Sequence, residues 1–94
     1  MELAKKIESC GYQNALREVL NTRLYYKKIY ADVWREEPDW MLFAHLKNKS
    51  FKIENLINKD TKEAIQTKIN TTIDITNYSL FLLENNLRKL DEMK

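Results

Sequence analysis

The sequence predicts an all-α fold, a small bundle of three to four helices with a long C-terminal helix. Two observations predict it. Gly11 is the only glycine and Pro38 the only proline in 94 residues. A sandwich or barrel needs more tight-turn residues than that. In the last third, Ile69, Ile73, Thr76, Leu80, Leu83, Leu87 and Leu90 recur at alternating spacings of four and three. That is the seam of one long amphipathic helix. A chain of this length is expected to be one domain, residues 1–94, with a single modest core.

The elements follow in order. Residues 2–10 read as a short helix with Leu3 and Ile7 on one side. Gly11 ends it or weakens it. From about Tyr12 to Arg35, Leu16, Val19, Leu20, Arg23, Tyr26 and Tyr30 fall near one face, and Leu24, Ile29 and Val33 widen it. Pro38 marks a boundary, because proline disfavours helical geometry in the residue before it and suits a first helical turn.

The next helix is expected to start at Pro38 or Asp39 and run to about Asn58, the alternative being two helices divided at Ser50. Leu42, Leu46, Ile53, Leu56 and Ile57 line one broad side, and Trp40, Phe43, Ala44 and Phe51 line another. Two apolar sides predict a central helix, or one that also meets a second subunit. Asn58-Lys59-Asp60-Thr61 is the next turn, with Asp60 as the expected helix cap and Glu63 three positions on. The last helix then runs to about Leu90. At about 1.5 Å per residue it spans roughly 45 Å. That exceeds a compact domain of this size, whose radius of gyration is about 13 Å. The excess predicts a homo-oligomer. The alternative is a helix broken near Asn85-Asn86 and packed within one subunit.

Charge excludes some functions. Sixteen Lys/Arg against fourteen Asp/Glu give a net charge of +2. The bias sits in the middle, where Lys47, Lys49, Lys52 and Lys59 outnumber Glu54 and Asp60. This is not the one-sided basic field of a nucleic-acid binder. Cys10 is the only cysteine, so no disulfide forms within the chain. No run of apolar residues approaches the length of a membrane span, and the first residues lack the apolar core of a secretory leader. The expected location is cytoplasmic.

Several residues carry candidate chemistry. Asp32 and Glu36 are four apart, so on a helix their carboxylates share a face and suit Mg²⁺ with water and phosphate completing its shell. The alternative is a solvated acidic face before a turn. Asp74 lies between Ile73 and Ile75, with Asn77 and Tyr78 close by. An acid placed there holds a lysine, an arginine or a metal, or else specifies helix register. Lys52 is placed to face phosphate or to pair with Asp74, whereas Lys47 and Lys49 read as solubilising residues. His45 lacks a ligand set and reads as a hydrogen-bonded surface histidine. Trp34 and Trp40 read most simply as core plugs, and otherwise as a stacking pair for a nucleobase.

Three stretches together resemble a known family. They are Tyr30-Ala31-Asp32-Val33-Trp34-Arg35-Glu36, Lys52-Ile53-Glu54-Asn55-Leu56 and Asp74-Ile75-Thr76-Asn77-Tyr78. The pattern resembles the nucleotide-modification-associated domain, a phage and bacterial family similar to the all-helical NTP pyrophosphohydrolases of the MazG and dimeric dUTPase kind. The resemblance implies that Asp32, Glu36 and Asp74 hold Mg²⁺. It also implies that Lys52 faces phosphate, with Asn77, Tyr78 and Trp34 around the nucleotide. The metal would neutralise phosphate oxygens and activate water. Two positions where related sequences carry acids are Gln66 and Asn70 here, and Ala31 replaces a glycine. Those departures imply a catalytically weakened or inactive nucleotide binder. The alternative reading is a helical protein-interaction module, such as a phage or bacterial inhibitor or immunity-like protein, presenting Trp40, Phe43 and Phe51.

Overall fold

The computed structural model describes residues 11–30 and 37–93, with the side chains of 27–30 excepted. The expected helix at 2–10 lies outside them. Every regular element among the described residues is helical: α1 is Gln13–Tyr30, α2 is Asp39–Leu56 and α3 is Lys62–Glu92. The chain divides into two compact units, Met1–Ala31 and Asp32–Lys94.

In the first unit, Gly11 adopts a φ of +128°. Side chains with a Cβ rarely take that conformation, so glycine suits the position before α1. Val19 is the buried apolar residue of α1 among those whose side chains are described. The rings of Tyr25 and Tyr26 lie 5.8 Å apart and tilted by 60°.

The second unit is a helical hairpin. Pro38, at φ −69° and ψ 156°, is the last extended residue before α2. Its carbonyl accepts from the amides of Met41 (3.0 Å) and Leu42 (3.2 Å), which starts the helix. Ser50 does not divide α2. The helix stops at Leu56, slightly earlier than expected, where the Lys59 amide donates to the Leu56 carbonyl at 2.9 Å.

The cap of α3 is Thr61, not the expected Asp60. The Thr61 hydroxyl oxygen accepts from the Ala64 amide at 3.2 Å. The physical reason is reach. The amide that a cap must satisfy lies three positions ahead of it, and Thr61 is the residue that sits extended at the helix start. Asp60 instead pairs with Lys68 at 3.3 Å.

α3 runs unbroken for 31 residues, through Asn85-Asn86. Neither asparagine turns its amide against the helix. Asn85 Oδ1 accepts from Arg88, and Asn86 Nδ2 donates to the Leu82 carbonyl and to Asp39. No described helix is long and apolar enough to cross a membrane.

α2 and α3 pack antiparallel, because partners descend α3 as α2 advances: Asp39 meets Lys89, His45 meets Tyr78 and Lys49 meets Asp74. The core is Leu42, fully buried, against Phe81, with Tyr78 and Leu82 packed on it. The buried residues of α3 are Ala64, Thr71, Asn77, Phe81 and Asn85. At about 100° per residue, the stripe from Ile69 to Leu90 lies on the opposite side. The stripe therefore builds the helix without being the face that packs on α2. Ile69, Leu83, Leu87 and Leu90 are exposed, and Ile73, Thr76 and Leu80 are half-buried. Thr71, Asn77 and Asn85 occupy much of the packed face instead, and apolar periodicity does not register them.

Candidate functional site

The hairpin seam holds Asp74, Asn77, Tyr78 and His45 among the residues singled out from the sequence. Asp74 points from the middle of α3 towards α2, where Lys49 Nζ lies 3.1 Å from its Oδ2. Both side chains are mostly covered. The expected partner was Lys52, and Lys49 was expected only to aid solubility. The seam side of α2 carries Leu42, His45, Lys49, Ile53 and Leu56, so it is Lys49 that faces α3. Lys52 is exposed on the flank.

One turn along, the His45 ring stacks on Tyr78, with centroids 4.8 Å apart and 15° between planes. Tyr78 meets Phe81 edge-on at 6.2 Å. His45 Nε2 lies 3.6 Å from Glu37 Oε2. His45 is thus a half-buried seam residue rather than a surface one. Asn77 is buried beside this layer.

At the open end of the hairpin, Asp39 Oδ2 accepts from Lys89 Nζ at 3.0 Å and from Asn86 Nδ2 at 3.1 Å. The hydrogen bond from Lys89 lowers the Asp39 pKa below its usual 3.8, and the bond from Asn86 acts in the same direction.

Asp32, Glu36 and Trp34 lie outside the described residues. Of the expected metal ligands, the structure places Asp74 alone, already neutralised by a lysine. The described residues contain no group of three or more His, Cys, Asp or Glu able to hold a metal. Gln66 and Asn70 are exposed on α3 and bond to each other at 3.2 Å.

A second surface lies on the far side of α2. Trp40 is 68% exposed, Phe43 60% and Phe51 55%. Trp40 is therefore not a core plug, because the seam side of α2 is already filled by Leu42 and its neighbours. Ala44 and Lys47 share the outer face and are exposed. The alternative reading of the sequence had named the three aromatic residues. Lys47, read from the sequence as a solubilising residue, lies in their midst, and its spacing from Trp40 and Phe51 was the available signal.

No protein-family model, curated protein or solved structure matches the chain.

Proposed function

We propose that this chain is a protein-interaction module whose working surface is the outer face of α2. The observation that carries the proposal is the exposure of Trp40, Phe43 and Phe51 on one side of a helix whose other side is packed. Large aromatic side chains are the usual anchors of interfaces, and an exposed apolar patch marks a surface that awaits a partner. The partner is a protein rather than nucleic acid, given the balanced charge of the chain. The homo-oligomer expected from the sequence would use a different surface, the outward stripe of α3 around Leu83, Leu87 and Leu90.

The test is a photo-crosslinking residue at Phe43, with the captured partner identified in cells and its affinity then measured. Phe51→Asp should abolish binding while the far-UV circular dichroism stays unchanged. An unchanged affinity in that variant ends the proposal.

Nucleotide binding with Mg²⁺ is the second reading. It rests on the resemblance, with Asp32, Glu36 and Asp74 as the ligands. For Asp74 to serve, Lys49 must move from its carboxylate to the nucleotide phosphate, a transfer lysine suits as a mobile point charge. Calorimetric titration with a panel of nucleotides, with and without Mg²⁺, tests it. A Mg²⁺-dependent heat lost in Asp74→Asn supports the reading, and no heat with any nucleotide ends it.

A further inference from the structure

We infer that the outer face of α2 receives an amphipathic helix of another protein, with its apolar side on Trp40, Phe43 and Phe51 and a carboxylate against Lys47. This rests on the interaction reading above and adds the chemistry of the partner.

The shape argument comes from spacing. Trp40, Ala44, Lys47 and Phe51 follow one another at four, three and four positions, and Phe43 widens the row. That is a straight ridge along one side of α2, about 16 Å from end to end at 1.5 Å per residue. A facing helix of about three turns covers it, because ridges at these spacings fit the grooves of a second helix.

The charge argument comes from Lys47. It sits between Phe43 and Phe51, it is exposed, and it joins no ion pair among the described residues. Its neighbour Lys49 faces the other way and holds Asp74. A partner that covers the aromatic residues also covers Lys47. A cation removed from water without a counter-charge is strongly unfavourable, so the partner must bring a carboxylate.

Two other occupants fit less well. A second copy of the chain cannot satisfy the face with itself. Antiparallel pairing that sets Trp40 opposite Phe51 leaves Lys47 opposite Ala44. The register that sets Lys47 opposite Glu54 leaves Trp40 and Phe43 uncovered, and parallel pairing sets Lys47 against Lys47. An anionic membrane gains little, because this face offers it a single lysine, worth about 1 kcal/mol of attraction.

The experiment uses the full chain and two fluorescent 18-residue amphipathic helical peptides. They have identical leucine positions and carry either Glu or Lys at the centre of the apolar side. Anisotropy titration should show the Glu peptide binding at least tenfold tighter. Lys47→Glu should reverse that preference, and Phe51→Asp should abolish binding of both. All variants are checked by circular dichroism, and both sites are exposed, so the fold should hold. Equal binding of the two peptides, lost in Phe51→Asp, overturns the inference while leaving the interaction reading intact. Binding of neither peptide overturns it too. In that case, phosphatidylglycerol vesicles that sediment with the protein would assign the face to membrane. A dimer seen by sedimentation and lost in Phe51→Asp would assign it to a second copy.

Discussion

Lys49 Nζ and Asp74 Oδ2 are 3.1 Å apart and join the middle of α2 to the middle of α3. Both groups keep some contact with water, so the pair sits between a surface bridge and a buried one. Lys49→Ala and Asp74→Ala should each destabilise the chain by about 1 kcal/mol. The double variant should lose less than the two together, with a coupling of about 0.5–1 kcal/mol. Urea unfolding of the four proteins measures the cycle. Simple additivity would mean that the pair contributes no coupling.

Leu42 should be the most sensitive apolar position. It is fully buried against Phe81, so Leu42→Ala should cost about 2–5 kcal/mol through lost burial and the cavity left behind. Leu87 is the same residue type at 58% exposure, and Leu87→Ala should change stability by less than about 0.5 kcal/mol. Comparable losses from the two changes would show that the outward stripe of α3 is covered in solution.

Thr61→Ala should cost about 1 kcal/mol, because the Ala64 amide loses its acceptor. Thr61→Ser should restore most of it. Asp60→Ala removes an exposed ion pair and should cost less than half as much. Urea midpoints rank the three variants.

Acid should loosen the open end of the hairpin. The Asp39 pKa is lowered in the folded chain, chiefly by the hydrogen bond from Lys89. A depressed carboxylate pKa favours the fold at pH above the unfolded value of 3.8. That contribution is lost as pH falls from there through the lower folded value. The urea midpoint of the wild-type chain should therefore fall more steeply below about pH 4 than that of Asp39→Asn. Parallel curves would rule out the Lys89 contact as the cause.

Much of the helix plan is legible in the sequence, because helical period, proline and turn residues act over short distances. α3 follows from its stripe and α2 from Pro38. The facing sides are less legible. Thr71, Asp74, Asn77 and Asn85 are polar and look unsuited to a seam, yet the structure buries or half-buries all four. Asp74 stands out among isoleucines from sequence alone, yet its partner depends on hairpin register, which the turn at 57–61 sets. The recurrence of Leu42, Lys49 and Leu56 at every seventh residue does mark Lys49 as a seam position. Exposure of Trp40 is a tertiary outcome, because one helix can bury only one of its two apolar sides against a single neighbour.

The antiparallel order of the hairpin also sets a sequence of events in time. Contacts of increasing separation along the chain run from Lys49–Asp74 through His45–Tyr78 to Asp39–Lys89, the last spanning 50 positions. Closing a longer loop costs more entropy, so the hairpin zips from the Thr61 turn outwards. The Asp39–Lys89 clasp closes last and opens first. Amide hydrogens near Met41 and Leu42 should consequently exchange faster, through lower-energy openings, than those near Ile53.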